Sequence, residues 1–143
     1  MSCLYYSGNN CCFRIASKTS NTFQFLVYNK MNVRFLNAQP GLSVDNIDDA
    51  LAFYSKLGFR PVYRNEDMHL VIQKDSVILH LSAEDSSPGG GQIMVDDVQQ
   101  LYDCVVSLNV RMLYDGLGDR PWGCRDFSIE DPFGNRLTFS QQM

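Results

Sequence analysis

The residues best suited to chemistry crowd into one stretch, "RPWGCRDFSIEDPFGN" (residues 120–135). It holds the only tryptophan of the chain, Trp122. An indole offers a broad stacking surface, one N–H donor and a face that attracts cations. Asp126 and Asp131 are a pair of carboxylates of the kind used for general acid and base work. Upstream, His80 and Ser82 lie two apart in "VILHLS" (residues 77–82), a base and a hydroxyl. Each has a plainer reading. Asp131 opens Asp-Pro-Phe-Gly-Asn, the chemistry of a hairpin turn. A Ser and a His at i and i+2 on one strand rarely reach nucleophile–base geometry. Cys124 has no activating histidine in view, and Arg125 reads as half of a structural ion pair. No catalytic residue is therefore assigned.

Composition narrows the partners. A chain of 143 residues can form one domain with a real core. A net charge of −4 and a pI near 5.0 argue against nucleic acid, whose phosphates need a basic face. The same charge suits a cationic small molecule. No apolar run approaches the roughly 20 residues of a membrane span. The five cysteines (3, 11, 12, 104 and 124) show no zinc spacing and read as free thiols in a reducing cytoplasm.

The elements that must position these groups come in two sets. Residues 1–33 are expected as an appendage, with "NTFQFLVYNK" (21–30) a strand or an arm reaching another subunit. Met31 is a second candidate start. The first set begins with "RFLNAQPGLSV", a strand broken at Pro40 and Gly41, and Asp45 is expected to cap the next helix. In "NIDDALAFYSKL", Ile47, Ala50, Leu51 and Tyr54 recur at helical spacing, and Gly58 stops the helix. Three strand-like runs follow, "PVYRN", "MHLVIQK" and "SVILHLS". A linker rich in Ser, Pro and Gly spans 84–91.

Beyond the linker the pattern starts again. Leu42, Val44, Asp45, Ile47, Leu57 and Arg60 match Ile93, Val95, Asp96, Val98, Leu108 and Arg111, fifty-one positions later. Toward the end of each half the offset reads as sixty, Val77-Ile78-Leu79 on Leu137-Thr138-Phe139. Two βαβββ modules are expected, residues 34–83 and 92–143, in an α+β fold. Alternation along the strands leaves each module one apolar face for its helix. The other face is mixed and carries Gln39, His80, Gln92 and Thr138; with Trp122 and Asp126 these are the expected ligand contacts.

The paired modules, "IDDALAFYSKLGFR", "ILHLS" and "PWGCRDFSIEDPFGNRLTF" together resemble the glyoxalase, bleomycin-resistance and extradiol-dioxygenase superfamily, the vicinal oxygen chelate fold. The resemblance covers about residues 34–143, and the ordered set of motifs is most similar to bleomycin-resistance-like members. It implies a curved, half-open barrel with helices outside, in a homodimer with clefts at or near the subunit contact. Metal-dependent members draw ligands from the first and last strand of each module. Those positions carry over to Gln39, Ile78, Gly90 and Thr138, a set without carboxylate or imidazole, which divalent centres need. His80, two residues from Ile78, is a lone imidazole. No metal or cofactor is therefore expected. The expectation leans to a non-catalytic, sequestering binder of a cationic or aromatic ligand. The alternative is a metal-dependent lyase, transferase or dioxygenase with unusual ligands.

Overall fold

A computed structural model describes residues 18–19, 22–23, 33–34, 36–84 and 87–143. Apart from two of its residues, the stretch expected as an arm lies outside the described residues, as do Met31, Cys3, Cys11 and Cys12. The chain divides into two compact units, Met1–Asn37 and Ala38–Met143. The first holds two short antiparallel strands, β1 (Lys18–Thr19) and β2 (Thr22–Phe23).

The second unit contains the βαβββ order twice. Strand β3 (Gly41–Ser43), helix α1 (Ile47–Lys56), β4 (Arg60–Asn65), β5 (His69–Lys74) and β6 (Val77–Ser82) are followed by β7 (Gly90–Met94), α2 (Val98–Ser107), β8 (Arg111–Asp119), β9 (Cys124–Glu130) and β10 (Arg136–Gln142). The sheets run β3-β6-β5-β4 and β7-β10-β9-β8, and neither closes into a barrel. In each, the module's first strand lies parallel to its last and the remaining pairs are antiparallel. This is the expected α+β architecture. Strand β7 begins at Gly90, inside the stretch expected as linker.

The helices form for the reasons their sequences suggest, with one shift. Asn46, not Asp45, caps α1, its side chain accepting the Asp49 N–H at 3.0 Å; Asp97, not Asp96, does the same for α2 at 2.9 Å. The cap must be the last non-helical residue, so its side chain can turn back onto the third amide. Both caps sit one position later than expected, and the fifty-one-residue offset holds. Ile47, Ala50 and Tyr54 are buried on α1, and Gly58 leaves the helix at φ +89°.

The offset of the last strands needs correction. Leu42 lies beside Leu81, and its counterpart Ile93 beside Phe139, so β6 and β10 correspond at 58 residues rather than sixty. Thr138 is thus the structural partner of His80, not of Ile78. The core lies between sheets and helices. Leu70, Ile72, Leu79 and Leu81 fill the first module; Val98, Phe127, Ile129 and Leu137 fill the second, all fully buried. Each such side chain contributes about 1.5–3 kcal/mol by leaving water.

A buried polar cluster joins the modules. Tyr54 of α1 donates to Asp131 Oδ2 at 2.7 Å, which also accepts from Asn135 Nδ2 at 2.7 Å. Asn135 Nδ2 donates to the Ser43 carbonyl at 2.6 Å, and its Oδ1 accepts from the N–H groups of Ser43 (3.1 Å) and Gly89 (2.7 Å). The Asp-Pro-Phe-Gly-Asn segment is therefore a turn, as expected, and also the clasp between β3, α1 and β10.

Candidate functional site

Each sheet gives one face to its helix and keeps a mixed face. On the first sheet the register puts His80 beside Gly41 and opposite Val71, with His69 opposite Ser82 and Tyr63 opposite Val71. Residues opposite one another in a ladder share a face, so His69, Val71, His80, Ser82 and Tyr63 do. Gln39, just ahead of β3, reaches the same face, its Oε1 lying 2.8 Å from His80 Nε2. His80 Nδ1 is in turn 3.2 Å from His69 Nε2. The lone imidazole of the sequence reading is one of a pair.

The second sheet's mixed face is built from small polar groups. Gln92 lies beside Thr138, Thr138 opposite Ser128, and Ser140 opposite Asp126. Gln92 Nε2 donates to Ser140 Oγ at 2.8 Å, and the Ser128 and Thr138 hydroxyls share a 2.8 Å bond. At one end, Glu130 sits between Arg111 (2.7 Å) and Arg136 (3.6 Å). Among the described residues no buried side-chain polar atom lacks a partner.

Two expectations for the Pro-Trp-Gly segment change. Trp122 was expected on a strand face shared with Asp126. It lies instead in the turn between β8 and β9, at 68% exposure, because the Arg120 N–H closes onto the Cys124 carbonyl at 2.7 Å and Gly123 takes φ +83°. Asp126 was expected as negative charge for a ligand. It is buried, and its Oδ1 accepts from Arg120 Nε at 2.7 Å. A carboxylate desolvated by its sheet needs such a partner. Arg120 also reaches the Gly116 carbonyl at 3.3 Å, so the pair anchors the turn that displays Trp122. Arg125 does form an ion pair, an exposed one with Asp119 at 3.3 Å.

The expected site residues therefore fall into three places. Gln39 and His80 are bonded to each other on the first sheet. Gln92, Thr138 and Asp126 share the second sheet's face. Trp122 stands apart on its turn. Sequence reasoning missed His69 and Arg120. A recess of about 370 Å³ at the seam, lined by Phe53, Lys56, Leu108, Val110, Arg111 and Glu130 among others, contains none of the expected residues. Among the described residues no group of three or more His, Cys, Asp or Glu side chains could hold a metal ion, and Cys104 and Cys124 are free thiols. No helix among them is long and apolar enough to cross a membrane.

Comparison with known proteins fits this geometry. Residues 37–139 match the family described as Glyoxalase/Bleomycin resistance protein/Dioxygenase superfamily. The chain is similar to the bleomycin resistance protein of Geobacillus stearothermophilus, 29% identical over 130 residues, covering 76% of this chain and 98% of that one. Its fold is similar to a bleomycin-binding protein crystallised with bleomycin, at a TM-score of 0.66 and 24% identity, covering 76% of this chain and 100% of the other. It is also similar to the bleomycin-binding protein of the bleomycin producer Streptomyces verticillus, crystallised with copper(II)-bleomycin. There the TM-score is 0.63 at 25% identity, with 78% and 99% of the two chains covered.

Proposed function

This chain belongs to the Glyoxalase/Bleomycin resistance protein/Dioxygenase superfamily, and from that premise we propose that it binds and sequesters a bleomycin-type drug without altering it. The observation that carries this reading is the make-up of the two mixed faces. They offer amides, hydroxyls, imidazoles and exposed aromatic surface, while the one buried carboxylate on the second face, Asp126, is taken by Arg120. Such a lining orients a ligand and supplies no activated nucleophile. The similarity to bleomycin resistance proteins along three quarters of the chain supports the same ligand class.

Within this reading Trp122 stacks on the drug's aromatic portion and attracts its cationic portion. Gln39, His80, Gln92 and Thr138 supply the orienting hydrogen bonds. Asp126 acts through Arg120, by holding the Trp122 turn. Net charge −4 favours approach of a cation. The active form is a cytoplasmic homodimer, in which a second copy covers part of the mixed faces where Tyr63 (57%) and Met94 (56%) stand exposed.

Titration of the purified protein with bleomycin, following the fluorescence of its single tryptophan, tests the proposal. A saturable change at micromolar drug, with the drug recovered unmodified, is expected. No saturable change, or a modified product, would overturn it.

A further inference from the structure

The recess of about 370 Å³ lies where α1 ends, where α2 gives way to β8, and where β9 runs into the clasp turn. We propose that it is a second binding site, for a small organic anion with an apolar body, such as an aryl or alkyl monocarboxylate. It shares no residue with the set assigned to the drug and does not depend on drug binding.

The internal repeat shows where the space comes from. Leu57, Gly58, Phe59 and Arg60 correspond to Leu108, Asn109, Val110 and Arg111 at the fifty-one-residue offset. In both modules a residue with positive φ turns the chain out of the helix, Gly58 at +89° and Asn109 at +55°. The first module fills its helix exit. Leu57 and Phe59 are buried, and the Phe59 ring packs edge-on against Tyr54, with centroids 6.0 Å apart. The second module carries Val110 where the first has Phe59, and Val105 where it has Tyr54. Two smaller side chains replace a packed aromatic pair. Leu108 is left exposed and Val110 half-buried, and the recess opens on both.

The rest of the apolar lining comes from Phe53 and Pro132. The Phe53 ring meets Tyr54 edge-on at 5.1 Å, and Tyr54 is itself fixed by its bond to Asp131, so this wall is preformed. The volume falls at the small end of ligand sites, which run from about 300 to 1,000 Å³.

The polar groups decide the sign of the ligand. Two carboxylates line the recess, Glu130 and Asp131, and both are already engaged. Asp131 accepts four hydrogen bonds, from Tyr54, the Phe133 and Asn135 N–H groups and Asn135 Nδ2. Glu130 lies between Arg111 and Arg136, at 2.7 and 3.6 Å. The lining cations are less committed. Lys56 is exposed, and its ammonium has no partner among the described residues. Arg111 bonds Glu130 through one nitrogen and keeps its other N–H donors, on a side chain 72% exposed. The unused hydrogen-bonding capacity is therefore donor capacity with positive charge, set beside apolar surface. A carboxylate held by Lys56 and Arg111, with its hydrocarbon against Phe53, Leu108 and Val110, uses both. The chain's net charge of −4 opposes an anion weakly here, because exposed charges beyond about 10 Å are screened.

Backbone-amide NMR of the full-length protein tests the site with three probes. Phenylacetate has the apolar body and the negative charge, acetate has the charge alone, and phenethylamine has the body with the opposite charge. Phenylacetate is expected to shift the amides of Leu108, Asn109, Val110 and Arg111 saturably, with a Kd of about 1 mM or below. Acetate and phenethylamine should bind about tenfold more weakly, or worse. Lys56→Glu, at an exposed position, should weaken phenylacetate about tenfold and leave the amides of the mixed faces unmoved. Val110→Phe restores the first module's side chain and should abolish the response. No saturable shift at these amides, a response centred on Gln92 and Thr138, or equal affinity for all three probes would overturn the site. None of those readings needs a variant to fold. Bleomycin titration reads other residues, so the failure of either proposal leaves the other in place.

Discussion

The two turns at the ends of β9 are made from similar materials and do opposite things. Each combines a proline, an aromatic residue and a glycine with positive φ, Gly123 at +83° and Gly134 at +86°. Around Gly123 there is open space, and Trp122 beside it faces solvent. At Gly134 a Cβ would meet Pro88 at 3.3 Å, and the flanking Asp131 and Asn135 are buried. What separates them is the bonding of their polar residues. Asp131 and Asn135 satisfy each other and reach Tyr54, Ser43 and Gly89, so the turn can be buried without orphaned groups. The Trp122 turn is held by backbone bonds, Arg120 N–H to the Cys124 carbonyl and Met143 N–H to the Gly123 carbonyl, and by one buried side-chain pair, Arg120 with Asp126. One turn holds the modules together, and the other is free to meet a ligand.

The contrast breaks most visibly at Asn135. Asn135→Ala removes every bond that its amide makes, to the Ser43 and Gly89 N–H groups, the Ser43 carbonyl and Asp131. A loss of about 3–5 kcal/mol is expected in urea unfolding; a loss under about 1 kcal/mol would show that the clasp is incidental. Tyr54→Phe is gentler, removing one bond to a carboxylate, about 1.5–3 kcal/mol. It also carries a pH signature. Burial first, then the negative charge and hydrogen bond of Asp131, push the Tyr54 hydroxyl above its ordinary value. A raised folded-state value favours the neutral form in the fold, while the unfolded chain ionises near its usual value. The contribution is complete below about pH 10 and lost progressively above it. Tyr54→Phe should therefore show a shallower alkaline loss of stability than the parent protein.

Much of this architecture was legible before any coordinates. The fifty-one-residue offset carried the paired modules because both helices need the same cap-to-stripe spacing to lie on a sheet. It misled at the last strands, where register is set by pairing with β3 and β7 rather than by distance along the chain. His69 was within reach too. The turn at Asp75 and Ser76 places Lys74 opposite Val77, and counting back puts His69 opposite Ser82, diagonal to His80 on the same face. The Arg120–Asp126 pair was not legible, because alternation fails where Trp122 leaves the strand. The reach of Asn135 to Ser43 spans 92 residues, and no local pattern encodes a contact at that separation.

Arg120→Ala probes the side-chain tether of the exposed turn. It leaves Asp126 in a buried position without its cation. A cost of about 1–3 kcal/mol follows, smaller than at Asn135 because water can reach the vacated space. The more telling effect is on Trp122, whose fluorescence anisotropy should fall as the turn loosens. Unchanged anisotropy would mean that the backbone closure from Arg120 to Cys124 is sufficient by itself.

Trp122→Ala should have the smallest effect on stability and a decisive one on binding. The side chain is 68% exposed, so its removal opens no cavity, and stability should stay within about 0.5 kcal/mol in the unfolding assay that reports Asn135→Ala. Drug affinity, measured by calorimetry since the fluorophore is gone, should fall about tenfold or more, the worth of one stacking and cation–π contact. If stability fell while affinity held, the indole would be a packing residue at a subunit contact, and the ligand would have to be sought on the faces that carry His80 and Thr138.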